Sequence, residues 1–144
     1  VGKKNSNNLI YINKLKKTST LSSAMVYSNS IFNKIKNLLL LQKGNYESKY
    51  HVKTVSLDYF FSKKKFLKTL LKIDVEGYEV NVLLGSKKIL KEIQMVLIEK
   101  QNLKKNDFHK CHELLLKSNF IHFKTFLFPL MHFEDRLYVK KELI

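Results

Sequence analysis

Apolar and polar positions change period most clearly between residues 70 and 93. An apolar run opens at Leu70, is interrupted by Lys72 and closes at Asp74 and Val75. A short apolar run bounded by turn chemistry predicts a buried strand. Past Gly77, the residues Tyr78, Val82, Gly85, Ile89 and Ile93 fall at steps of four, three, four and four, one face of a helix. Strand, acidic turn and helix make half of a βαβ unit.

The same reading extends along the chain. Leu9–Asn13 and His51–Leu57 read as strands, with a turn-rich connection at Thr18–Ser23. Ile31, Ile35, Leu38 and Leu39 have helical spacing, with Ser28 or Ser30 as N-cap. The Leu38–Leu41 run makes that helix strongly apolar, and Gly44-Asn45 ends it. Asp58 opens a short helix over Tyr59–Leu67, and Ile93–Glu99 is a second buried strand. Asn106 or Asp107 caps a helix whose stripe is Phe108, Cys111, Leu114 and Leu115, which leaves His109 and His112 on the surface. Asn119–Phe126 and Arg136–Lys141 read as final strands, and the nine residues between them suit an antiparallel pair. The apolar loop from Phe126 to Phe133, with Pro129 and His132, is a substrate wall or a core lid. The expected fold is α/β, with parallel strands near 70–75 and 93–99 and an antiparallel C-terminal pair.

Carboxylates gather where such a fold places ligands. In open α/β sheets ligands bind beyond the carboxyl ends of the strands. Asp74 ends the first central strand, Glu76 lies in the turn and Glu79 in the first helical turn. Both glutamates also suit a helix N-terminus, where the macrodipole favours acids, so cap and site remain open for them. Glu99 ends the second central strand, about one strand spacing of roughly 5 Å from Asp74. Two such acids can share a proton, position a hydroxyl or bind a divalent ion. The plainer alternative pairs Glu99 with a lysine. His109 and His112 lack a third ligand, so no metal site is assigned to them.

Composition narrows the classes. At 144 residues and 44% hydrophobic, the chain is one domain or part of one. No stretch approaches the roughly 18 apolar residues that span a bilayer. The start lacks a secretory h-region and an initiator Met, and the single Cys111 excludes an internal disulfide and fits a reducing cytoplasm. The net charge is +15, yet of 27 basic residues only Arg136 is arginine, the residue best suited to bidentate phosphate and base contacts. Specific nucleic-acid binding is therefore not expected.

Three segments carry a family resemblance. Lys72-Ile-Asp-Val-Glu-Gly-Tyr-Glu79 with Val82-Leu-Leu-Gly85 resembles the signature of FkbM-type methyltransferases. Val55-Ser-Leu-Asp-Tyr-Phe60 is similar to that family's T-L-D segment, with Ser56 where Thr is usual, and Val96-Leu-Ile-Glu99 is similar to its next strand. The resemblance is good over residues 50–142 and weak over the first fifty. It implies a partial Rossmann-like, class I methyltransferase sheet and S-adenosylmethionine-dependent methylation of a hydroxyl on a small molecule or glycan. It implies Asp74 and Glu99 as catalytic groups, with Glu76, Gly77, Glu79 and Asp58 at the substrate or cofactor edge. For Asp58 an N-cap is the plainer reading.

One expected part is missing. Such a cofactor needs a glycine-rich turn that lets the backbone approach closely. The four glycines, Gly2, Gly44, Gly77 and Gly85, are too far apart to build one. The expectation is a single domain over 1–144, the C-terminal part of a methyltransferase domain and inactive in isolation. Two other readings stand beside it: a non-catalytic basic domain that binds an anionic polymer, and a structural remnant that completes another subunit.

Overall fold

A computed structural model describes residues 1–13, 19–20, 46–75, 77–101, 105–127 and 133–144. The expected helix over Ile31–Leu39, the Gly44-Asn45 turn, Glu76, Pro129 and His132 lie outside the described residues. The described residues form two sheets. In the first, β1 (Ser6–Asn13) lies between β2 (Ser19–Thr20) and β3 (Tyr46–Thr54), antiparallel to both. Ser19-Thr20 is thus a short strand where a turn-rich connection was expected.

The second sheet has the order β4-β5-β7-β6, from β4 (Leu70–Ile73), β5 (Met95–Gln101), β6 (Phe120–Leu127) and β7 (Phe133–Lys140). β4 and β5 are parallel, and β7 runs antiparallel to both β5 and β6. The expected parallel pair and antiparallel C-terminal pair are both present, and the architecture is mixed α/β. Several boundaries differ from expectation, among them β3, which runs Tyr46–Thr54 where His51–Leu57 was expected. β4 stops at Ile73, β5 begins at Met95 because Ile93 ends the preceding helix, and β7 begins at Phe133 rather than Arg136.

The crossover between β4 and β5 is two short helices, not one. α2 (Glu79–Leu84) ends at Gly85 and α3 (Ile89–Glu92) follows; α1 (Leu57–Phe60) precedes β4. At the break the chain packs closely against a distant segment. A Cβ on Gly85 would collide with the Gly2 carbonyl, so the N-terminal segment occupies the space that a side chain would take. Gly2 N–H in turn donates to Val55 O at 2.9 Å. The buried groups at the break are satisfied by one long-range and one local hydrogen bond. Gly85 O accepts from Asp58 N–H at 3.0 Å, and the Ser86 hydroxyl donates to Val82 O. Most of the predicted stripe survives the break: Val82, Gly85, Ile89 and Ile93 are buried and Tyr78 is half-buried, with Leu83 and Leu90 buried beside them. Each such side chain contributes about 1.5–3 kcal/mol on burial, against about 1 kcal/mol for a glycine within a helix. Burial wins, and the interrupted helix still packs.

One face of the second sheet carries that core. Ile73, Val96, Ile98 and Tyr138 meet Cys111 and Leu115 of α4 (Lys105–Lys117), along the expected stripe. The helix starts before Asn106 and Asp107, so both lie inside it and neither precedes it as a cap. Lys140 closes its other end: the buried ammonium donates to Ser118 O at 2.8 Å and sits 4.4 Å from the Phe120 ring centre. A cation on a helix's last carbonyls meets the negative end of the dipole.

Candidate active site at the strand ends

The strand register assembles the acids. Ile73 pairs with Ile98, and Ile98 pairs with Arg136. One residue further on, Asp74 follows the end of β4, Glu99 stands in β5 and Asp135 faces Glu99 from β7. Side chains alternate across a strand, so these three share the face opposite the helical core. The expected neighbourhood of Asp74 and Glu99 at the carboxyl ends of parallel strands is therefore present. Glu99 does not end its strand, which runs on to Gln101.

The three acids differ in setting. Asp74 is exposed, with Lys72 Nζ 3.7 Å away in a loose surface pair. Glu99 is half-buried. Asp135 is only 9% exposed, and its Oδ1 is buried without a hydrogen-bond partner among the described residues. Sequence reasoning missed Asp135 because it started the last strand at Arg136 and left Asp135 in a loop. The alternation Asp135, Leu137, Val139 against Glu134, Arg136, Tyr138 was the available signal.

The turn after β4 has its own geometry. Gly77 has φ 88°, a left-handed conformation open to glycine and costly for other residues, and its N–H donates to the Glu79 carboxylate at 2.8 Å. Glu79 thus braces the turn that starts α2. Asp58 sits at the far end of α2. Its carboxylate accepts from Lys88 N–H at 3.0 and 3.1 Å and from Ile89 N–H at 3.0 Å. It is a helix cap, as the plainer reading had it, but of α3. The N-cap of α1 is Ser56, whose hydroxyl accepts from Tyr59 N–H. α1 is also shorter than expected, ending at Phe60 before the Lys63–Lys65 run.

Behind the acidic row, the helix-covered face holds a closed charge network. Glu134 accepts from Lys100 Nζ at 3.0 Å and from Arg136 Nε at 2.6 Å, and both cations lie over the Phe108 ring. Burial pushes the Glu134 carboxyl up, but these two hydrogen bonds outweigh it and hold it below the ordinary carboxylate value. His112 is not a surface residue as expected. It is half-buried, with Nδ1 2.9 Å from the Tyr138 hydroxyl, and burial, aided by the Arg136 charge, lowers its pKa. His109 is exposed, and among the described residues no group of three potential ligands could hold a metal.

Parallel strands joined by a helical crossover, with β7 and β6 added antiparallel, define a mixed α/β domain. Residues 1–127 match the methyltransferase FkbM domain, and the chain belongs to that family. The match takes in the first fifty residues, where the resemblance was weak, and ends with β6. No curated protein and no solved structure matches the chain.

Proposed function

We propose that the chain serves an S-adenosylmethionine-dependent methyltransferase acting on a hydroxyl of a small molecule or glycan. The observation that carries this is the register of β4 against β5, which ends at Ile73 opposite Ile98 and so brings Asp74, just past β4, close to Glu99 within β5. The acceptor hydroxyl sits against this pair, and one carboxylate takes its proton as the oxygen attacks. The half-buried Glu99 is better shielded than Asp74 and acts as the base; Asp74 orients the hydroxyl. The cofactor supplies an electrophilic methyl group.

The described glycines do not make a cradle for that cofactor. Gly85 is filled by Gly2, and Gly77 is a lone turn residue braced by Glu79. Donor binding is therefore assigned to none of them, and the chain's own part is the acceptor side. The βαβ unit supports a Rossmann-like sheet of the class I methyltransferase type, and the buried lone Cys111 supports a reducing, cytoplasmic setting.

The test is transfer of labelled methyl from S-adenosylmethionine to hydroxylated acceptors by the enzyme that carries this chain. Glu99→Gln should lower kcat about 10²–10⁴-fold with an unchanged unfolding midpoint. Full turnover in Glu99→Gln, or activity and stability lost in step, would overturn the assignment.

A further inference from the structure

The loop between α1 and β4 sorts its side chains by chemistry. Residues 59–69 read Tyr-Phe-Phe-Ser-Lys-Lys-Lys-Phe-Leu-Lys-Thr, with four lysines and no acid. Phe61 and Phe66 pack against the core and meet edge to face, their ring centres 5.5 Å apart. They close the base of the loop. Its far end is fixed as well, because Thr69 N–H donates to Gln94 Oε1 at 2.7 Å. What this held loop leaves outside is apolar and cationic at once. Phe60 is 66% exposed, although its ring lies 4.9 Å from that of Phe61, and Leu67 is 89% exposed. Lys63, Lys64, Lys65 and Lys68 are exposed around them, and among the described residues none of the four pairs with an acid. Exposed apolar groups rimmed by charge mark interaction sites.

The same end of the sheet carries a further exposed apolar residue. Thr69 O accepts from Gln94 and Met95 N–H, Gln94 O accepts from Lys140 N–H, and Asn119 O accepts from Lys141 N–H. These bonds draw the starts of β4, β5 and β6 and the end of β7 into one edge. Just past it, Leu143 is exposed, with Lys141 exposed two residues before. The acid between them, Glu142, is engaged by Asn119 Nδ2 at 2.8 Å. Asp74 lies at the opposite end, beyond the four residues of β4, which span roughly 13 Å.

We propose that this end of the sheet docks onto the surface of an anionic lipid bilayer. Leu67 and Phe60 enter the headgroup region, while Lys63, Lys64, Lys65 and Lys68 face the lipid phosphates and carboxylates. Apolar side chains flanked by lysines suit such an interface, because carbon leaves water while each ammonium stays at the charged surface. Nucleic acid fits less well. Bases stack on aromatic rings but gain little from an exposed aliphatic Leu67, and every cation of the loop is lysine rather than arginine. The segment is far shorter than the roughly 20 residues that span a bilayer, so the contact is peripheral. Docking here turns the end that carries Asp74 away from the lipid, and the proposal does not rest on methyl transfer.

Sedimentation of the full chain with vesicles tests it, using phosphatidylcholine alone and phosphatidylcholine mixed with phosphatidylserine. The chain should sediment with the anionic vesicles only, and about 1 M salt should release it. A lysine close to an anionic surface is worth about fivefold in partition, so Lys63→Gln, Lys64→Gln and Lys65→Gln together should weaken binding about a hundredfold. Removing the same charge at the exposed Lys3, Lys4 and Lys53 should weaken it far less. Leu67→Gln should weaken binding about threefold or more at unchanged net charge. All these side chains are exposed, so the unfolding midpoints should not move. Equal losses in the two triple variants would mean that the overall charge of +15 binds without a docking face, and the proposal fails. It fails equally if neither vesicle binds, if phosphatidylcholine alone captures the chain as well, or if Leu67→Gln binds like the parent. A single-stranded DNA oligonucleotide that displaces the chain from the vesicles, and binds Leu67→Gln as tightly as the parent, would make the loop a nucleic-acid surface and overturn the proposal.

Discussion

Glu134 and Asp135 are adjacent acids on one strand, and the strand's alternation sends them to opposite faces of the sheet with opposite outcomes. Glu134, 17% exposed in its side chain, is held by Lys100 and Arg136 over the Phe108 ring. Asp135, 9% exposed, has an oxygen that meets no donor among the described residues. The first arrangement is what a structural acid requires: each partner neutralises the other, and the remaining cationic charge rests on an aromatic face. The second is unfavourable for a carboxylate, which loses its hydration and gains no donor at that oxygen. Burial alone therefore does not set what an acid contributes on this sheet; its partners do.

The largest effects should come from reversing each side of that comparison. Glu134→Gln leaves two partly buried cations without their carboxylate, and should cost about 1–3 kcal/mol by chemical denaturation. Asp135→Leu should change stability in the other direction. If both substitutions destabilise by similar amounts, the two acids are equivalent and the distinction is broken. If only Glu134→Gln does, it is sharpened.

A smaller effect, confined to the helix-covered face, follows from titration. His112 has its pKa lowered from 6.5 by burial, then by the Arg136, His122 and His109 charges, with Glu113 opposing. The unfolded chain therefore binds a proton on His112 more readily than the folded one. Stability is complete above pH 6.5 and declines as pH falls below it. Glu134 has its pKa lowered from 4.5, so its contribution is present above that value and is lost as pH falls through the folded pKa. Thermal unfolding should thus show two declines, the upper one removed by His112→Gln. An upper decline that persists in His112→Gln would assign it elsewhere.

How much of this was legible in the sequence depends on the range of the cause. The β4 strand and the crossover stripe were readable because apolar runs and helical spacing act locally, although of β4 only Ile73 is buried. The closeness of Asp74 and Glu99 was readable because adjacent parallel strands bring residues of matching position alongside. The need for glycine at position 85 was not, because the group that fills its side-chain space is Gly2, more than eighty residues away in the chain. Asp58 was read as a cap, but its helix lies thirty residues on, an assignment only tertiary packing makes. His112 lies off the helix stripe and looked exposed; Tyr138, from another strand, covers it. Asp135 was lost to a boundary. The polar start of β7 resembles a loop until β5 pairs with it.

The smallest stability effect belongs to Asp74, and it separates the open face from the closed one most economically. Asp74 and Lys72 stand 3.7 Å apart with side chains 43% and 54% exposed. Pairs this exposed contribute about 0–1 kcal/mol and are screened by salt. Lys72→Ala should therefore leave the unfolding midpoint nearly unchanged, and the small difference should vanish at about 1 M salt. Asp74→Asn should be equally silent in stability while slowing methyl transfer, because orienting the acceptor needs the carboxylate and folding does not. On the closed face the reverse holds: Glu134→Gln should move the midpoint and spare turnover in the folded fraction. An Asp74→Asn enzyme with parental kcat and KM would leave Glu99 to act without it, and Asp74 would drop out of the proposed acceptor site.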